Sequence, residues 1–161
     1  MKVLIENIIR QLQEIQEGKI WIGTNFHKKF NLISEAAAFK VVHKGTHTIA
    51  EIIAHLTIWR NETCLKMKTA KGSITDENGA DWAENSQLKQ IGWDKIKDDY
   101  ENSLTELIAL LQTKNDDFLN EMYYDTDYKD HFEYQFLING MLHHDLYHLG
   151  QLGLLIKILK P

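Results

Sequence analysis

The chain has little punctuation: one proline, at its last position, and nine glycines in 161 residues. So few breakers exclude an architecture of many short strands and tight turns, and favour long helices. There is one cysteine, Cys64, so no intramolecular disulfide can form, which fits a reducing compartment such as the cytoplasm. Basic charge is not in excess either: 18 basic side chains stand against 23 acidic ones, for a formal net charge of -5 with no basic run. Nucleic acid and anionic membrane surfaces are therefore not expected partners.

A bilayer-spanning run is also missing. The most apolar window, LGQLGLLIKILK, carries Lys157 and Lys160 and is too short to span a membrane, so it reads as a core-facing helix end. Near the start, Glu6 and Arg10 interrupt the apolar core that a secretory signal needs, so no signal peptide is expected. The length suits a single domain over residues 1–161, with a core large enough to need neither disulfides nor a structural metal.

What is present is helical periodicity. Leu4, Ile5, Ile8, Ile9, Leu12 and Ile15 recur at steps of three and four, predicting a helix over about 2–17, with Gly18 as its stop. A long connection follows over 19–47, with a short helix around NLISEAAAFK. In THTIAEIIAHLTIW, Thr48 and Glu51 form the signature of a capping box, and Ile52, Ile53, Leu56 and Trp59 continue a helix over about 49–68. A second polar connection, with a helical turn near Trp82, leads to a stripe from Trp93 through Ile96, Tyr100, Leu104, Leu107 and Leu111, a helix over about 93–113 with Asp94, Asp98 and Asp99 in its acidic first half. NDDFLNEMYY reads as a short helical link, and the last helix is expected over about 131–159. Four helices of about 24 to 43 Å have the dimensions of a four-helix bundle.

Within the last of these helices lies HHDLYHLGQL. Residues four apart on a helix differ in direction by about 40°, so His144 and His148 point the same way from adjacent turns, which is metal-ligand spacing. Eight histidines would give about 0.4 such pairs by chance, so the pair alone is a weak signal. Its position adds weight: it sits mid-helix between Met141 and Leu152, where polar side chains need partners to offset desolvation. His55 is placed in the same way among Ile52, Leu56 and Trp59. Three imidazoles from two helices could fill three coordination positions and leave room for water or substrate. The alternative is buried histidines hydrogen-bonded to tyrosines or backbone.

Other residues rank lower. Asp145 makes HDLYH, a shadow of the H-E-x-x-H metalloprotease motif, but it lies about 100° from His144 with a shorter carboxylate. It reads as a surface charge or as a carboxylate hydrogen-bonded to a ligand histidine. One D-x-x-H does not supply the ligands of a di-iron site. Gln151 could reach a ligand, and Trp59, one turn beyond His55, could wall the site. Cys64 falls about half-way round the helix from His55 and reads as a packed thiol. His143 should face outward; His27, His43, His47 and His131 fall in or near connections, with His47 the best spare.

THTIAEIIAHLTIW and LHHDLYHLGQLGLL, the latter with its H-x-x-x-H-x-G-Q ending, resemble the two hallmark segments of the DinB-like superfamily, which includes YfiT-type proteins. The order and spacing of the four expected helices agree, so the resemblance covers nearly the whole chain. It implies an all-α, up-up-down-down four-helix bundle with long connections after its first two helices, and a metal near one end held by His55, His144 and His148. Characterised relatives are metal-dependent enzymes that use low-molecular-weight thiols, including bacillithiol S-transferases and a mycothiol-dependent isomerase; others are described as metal-dependent hydrolases, and many form homodimers. The resemblance thus implies a divalent cation, of which nickel, zinc, manganese and iron all accept imidazoles. It also implies a small-molecule substrate and a low-molecular-weight thiol cosubstrate. A metal-dependent thiol S-transferase is the leading expectation, a metal-dependent hydrolase the second, and a non-catalytic binding or dimerising bundle the third.

Overall fold

The computed structural model describes residues 1–75, 77 and 79–160. In chain order the elements are α1 (Val3–Gln16), α2 (Phe26–Phe30), α3 (Glu35–Ala38), α4 (Ile49–Thr69), α5 (Asn85–Ile91) and α6 (Trp93–Gln112). A 3₁₀ turn (Asp116–Asn120), β1 (Met122–Asp125), β2 (Asp130–Glu133) and α7 (Tyr134–Leu159) complete it. α1, α4, α6 and α7 form a four-helix bundle around a core that includes Ile5, Ile53, Leu56, Leu107, Leu111 and Leu152. No helix among the described residues is long and apolar enough to cross a membrane.

Local chemistry accounts for the helix ends. The first amides of α1, at Leu4 and Ile5, donate to Asp116 Oδ1 at 3.0 and 3.1 Å, placing a carboxylate at the positive end of the helix. At α4 the capping box is formed: Glu51 N donates to Thr48 Oγ1 at 3.2 Å, and Thr48 N to Glu51 Oε2 at 2.6 Å. Gly92, at φ 90°, joins α5 to α6 in a conformation that a side chain would strain.

Contacts between the helices set their directions. Lys2 Nζ donates to the carbonyl of Gln112, and Tyr100 Oη to Gln16, so α1 and α6 are antiparallel. Arg60 meets Tyr100 while Lys68 meets Glu106, so α4 and α6 run the same way. Tyr134 Oη donates to the carbonyl of Lys66 while Arg60 meets Asp145, so α7 is antiparallel to α4. The order is therefore up-down-down-up, where the resemblance implied up-up-down-down. The bundle and both long connections are as expected. The difference arises because a connection of some thirty residues can return the chain to either end; this one wraps over the end where α1 finishes, with Asn25 Nδ2 donating to Gly18 O at 2.8 Å.

One buried network touches all four bundle helices. Arg60 Nη2 (α4) donates to Asp145 Oδ2 (α7) at 2.7 Å and to Tyr100 Oη (α6) at 3.0 Å; Tyr100 Oη donates to Gln16 Oε1 (α1) at 2.8 Å. Arg60 is 1% exposed and Asp145 0%. Burial works against the Arg60 charge, but Asp145 and Tyr100 more than offset it and raise its pKa further. Asp145 is thus neither a surface charge nor the hydrogen-bond partner of a ligand histidine. The stripe Ile138, Leu142, Asp145, Leu149, Leu152 points into the core, so the 100° that separates Asp145 from His144 turns it inward.

The sequence reading and the structure differ in the connections. α7 begins at Tyr134, because 130–133 form β2 and pair antiparallel with β1 through Tyr123↔Phe132 and Tyr124↔His131. Phe132 fits a helical stripe equally well; the cross-strand pairing decides. The link over 115–124 is half helical, a 3₁₀ turn running into β1. Capped α2, started by Asn25, and polar α5, which buries Leu88 alone, carry too little periodicity to read.

Arg60→Met leaves Asp145 buried without a counter-charge, and should destabilise the protein by about 3–5 kcal/mol. Arg60→Met/Asp145→Leu should recover most of that loss. Urea unfolding of both variants checks this; an Arg60→Met midpoint equal to that of the unaltered protein would remove the network from its structural role.

Candidate metal centre

The bundle brings His55 of α4 together with His144 and His148 of α7. His144 Nε2 lies 3.0 Å from His55 Nε2 and 3.0 Å from His148 Nε2. One nitrogen from each ring falls within 4.8 Å of the other two. For metal–nitrogen bonds of about 2.0–2.1 Å, neighbouring ligand nitrogens stand about 2.9–3.4 Å apart at octahedral to tetrahedral angles, so these distances suit a shared cation.

The outer nitrogens explain the orientation. His55 Nδ1 is 2.9 Å from the carbonyl oxygen of Asp81 and 3.7 Å from its Oδ2, while His148 Nδ1 is 2.7 Å from Gln151 Oε1. An oxygen acceptor at Nδ1 requires the proton there, which leaves the Nε2 lone pair facing inward. Both lone pairs then meet His144 Nε2. A neutral imidazole carries one N–H; on Nε2 it could serve only one of the two neighbours well, and on Nδ1, which is buried without a hydrogen-bond partner, it would serve neither. The donor set has more inward lone pairs than protons to match them. A cation at the centre would resolve that mismatch by accepting one lone pair from each ring.

Electrostatics keep the two rings of α7 neutral. Burial, reinforced by His148, His55 and Arg60, pushes His144 down to about 3. Burial also pushes His148 down to about 4, against the opposing hydrogen bond that its Nδ1 donates to Gln151. Both offer lone pairs at neutral pH.

Aromatic rings wall the site. Trp82 stacks on His55 at 3.9 Å between centroids, and His47 stacks on Trp82 at 3.4 Å, so His47 lies one ring away from the nitrogen cluster. Trp59 meets His55 and His144 edge-on at 6.3 and 6.5 Å. A cavity of about 830 Å³ opens beside the histidines, lined also by Trp59, Lys66, Tyr123, Phe136 and Tyr147. That is ample for a small molecule. His27, His43, His131 and His143 are exposed. Cys64 is buried, and its thiol is pushed up to about 11 by burial, so it packs as a protonated group.

Of the residues that shape the site, Asp81 was missed, since a loop aspartate has no periodic signal. Lys66 and Asp125 were missed too, although Lys66 had one: a charge eleven residues after His55, on the same helical face.

Metal-free protein should lose stability as the pH falls from 6.5 through about 4 towards 3. In that window unfolded histidines take up protons that the folded His144 and His148 refuse, so acid favours unfolding and the stabilisation is complete only above 6.5. Thermal unfolding of the metal-free protein and of His144→Gln/His148→Gln across this range checks it. Equal acid slopes in the two proteins would contradict the assignment.

Comparison with known proteins follows the same lines. Residues 22–152 match the DinB superfamily. Among solved structures, a mycothiol-dependent maleylpyruvate isomerase superposes with a TM-score of 0.71 at 12% identity over 92% of this chain. The match covers 60% of the isomerase, so this chain spans about three fifths of that protein. YfiT from Bacillus subtilis, described as a probable metal-dependent hydrolase with an unusual four-helix bundle topology, superposes with a TM-score of 0.61 at 16% identity, over 94% of this chain and 87% of that one. No curated protein matches the chain. At these identities the solved structures establish the fold, and the family match is the wider finding: the chain belongs to the DinB superfamily.

Proposed function

We propose that the protein is a metal-dependent enzyme that activates a low-molecular-weight thiol and transfers it to a small electrophile. The observation that carries this reading is the convergence of three imidazoles, with no carboxylate in the ligand group among the described residues, at the wall of a small-molecule cavity. A divalent cation held by His55, His144 and His148 keeps most of its charge and lowers the pKa of a thiol or water beside it. Nickel, zinc, manganese and iron are all compatible with such ligands.

The chain's own residues do the rest. Asp81 and Gln151 hold two of the rings in the orientation that presents Nε2. Trp59 and Trp82 shield the histidines from bulk water, which strengthens electrostatic interactions at the site. In the transfer, the thiol gives up its proton to solvent, sulfur forms a bond to the electrophilic carbon, and the leaving group departs with the electron pair, as halide from an aryl halide. No protein base is required. That favours transfer over hydrolysis, because Asp145 is engaged by Arg60, and Gln151, engaged by His148, is an amide with no basicity to offer. Hydrolysis, in which water takes the thiol's place, is the second reading; YfiT is described as a probable hydrolase.

Protein purified without chelator should contain near-stoichiometric divalent metal by elemental analysis, and His144→Ala/His148→Ala should lose it. Gln151→Ala should bind metal about 10- to 100-fold more weakly. With an activated aryl halide and a thiol, metal-loaded protein should form the thioether above the uncatalysed rate. Product formed from water alone supports the hydrolase instead, and no metal in any preparation, even after reconstitution, removes both.

A further inference from the structure

The cavity wall holds an ammonium group that metal binding does not use. Lys66 follows His55 by eleven residues on α4, a rotation that returns to within about 20° of the same direction, so His55, Trp59 and Lys66 share one stripe of the helix. Lys66 Nζ lies 5.7 Å from the Trp59 ring centroid, which is 6.3 Å from that of His55. The ammonium is therefore no more than 12.0 Å from the His55 ring, with Trp59 between them.

The group is built into place. Lys66 is 2% exposed and donates to Asp125 Oδ2 at 2.8 Å. Asp125 has no capacity left for a ligand: Oδ2 also accepts from Tyr123 Oη at 3.1 Å, and Oδ1 accepts from the backbone amides of Asp127 and Tyr128 at 3.0 and 3.2 Å. Burial alone would raise the Asp125 carboxyl, but Lys66 and the two amides outweigh it and hold it below its ordinary value. Gly72 leaves the lysine its room, since a Cβ there would stand 2.5 Å from Lys66 Cε.

An ammonium donates three hydrogen bonds, and Asp125 is the hydrogen-bond partner of Lys66 Nζ among the described residues. Two ring faces flank it, Trp59 at 5.7 Å and Tyr123 at 5.5 Å, and the residue lines the cavity. Lys66 is also the one lysine or arginine among the described residues that line this cavity. A buried ion pair is stabilised most when its remaining donors also find acceptors. Here they are left for an oxygen acceptor entering the cavity, and a carboxylate makes the stronger, charge-assisted bond.

Resting on the thiol reading above, we propose that Lys66 receives a carboxylate carried by the thiol itself. The ligand then spans the cavity, with sulfur at the histidine centre, its chain along Trp59 and its carboxylate at the ammonium. The chemical class is a low-molecular-weight thiol acid. Asp125 and Tyr123 act as positioning residues for Lys66.

The test titrates cobalt(II)-loaded protein with ω-mercaptoalkanoates of increasing chain length, beginning at mercaptoacetate, and with the ω-mercaptoalkanols of equal length, following thiolate-to-cobalt absorption. At the chain length that reaches Lys66, the acid should bind about tenfold more tightly than the alcohol, the weight of one charge-assisted hydrogen bond. Lys66→Met should abolish that preference and Lys66→Arg should keep part of it. Because Lys66→Met strands a buried carboxylate, Lys66→Met/Asp125→Asn is measured beside it, with folding checked by circular dichroism, and should lose the preference equally. Thiol absorption without any acid preference, or a preference that survives in the Lys66→Met variants, overturns the inference and leaves the metal–thiol reading standing. Absorption from no thiol at all overturns both.

Discussion

The Arg60–Asp145 ion pair is the constraint on which the rest of the structure depends. Its hydrogen bonds reach Tyr100 and, through Tyr100, Gln16, so one cluster joins all four bundle helices across the core. A buried charge tolerates little displacement, because losing its partner exposes it to the full desolvation cost. Apolar packing by itself permits a helix to rotate or slide by small amounts. The pair removes that freedom: with Asp145 locked onto Arg60, α7 has one rotation, and in that rotation the neighbouring His144 and His148 face His55. Burial pushes the Tyr100 hydroxyl up, so it stays protonated and keeps donating to Gln16.

The histidine cluster therefore inherits its geometry from a network to which it contributes no side chain. The same helix presents two adjacent edges. One, through Leu142, Asp145 and Leu149, faces the core, and the other, through Met141, His144 and His148, faces the cavity. On α4 the division is similar, with Arg60 inward and His55, Trp59 and Lys66 along the cavity. Electrostatic roles separate along these edges. Arg60 and Asp145 are paired in the core, and burial keeps His144 and His148 beside them neutral, which is what a cation needs of its ligands.

The connections complete the site. The loop carrying Asp81 and Trp82 supplies the acceptor for His55 Nδ1 and the ring stacked on His55. The β1–β2 hairpin brings Tyr123 and Asp125 against Lys66. Glu62 ties the start of the second connection down by accepting from the amides of Ser73 and Ile74. Segments that look polar and shapeless as sequence thus form much of the wall that a ligand would touch.

How much of this was legible follows from where each signal resides. Helix positions, the capping box at Thr48 and Glu51, and the shared direction of His144 and His148 are encoded in near-neighbour spacing, and a periodic chain displays them without a fold. His55 could be nominated by its apolar surroundings, but its approach to His144 could not, since contacts between residues 89 positions apart are set by packing. Helix direction was open for the same reason: long connections return to either end at little difference in entropy. The inward turn of Asp145, the pairing of β1 with β2 and the carbonyl of Asp81 behind His55 depend on partners distant in sequence. The sequence by itself determined the four helices and the donor residues available to them; the tertiary structure alone decided which donors meet, because burial and charge pairing act between surfaces that exist only once the helices have packed.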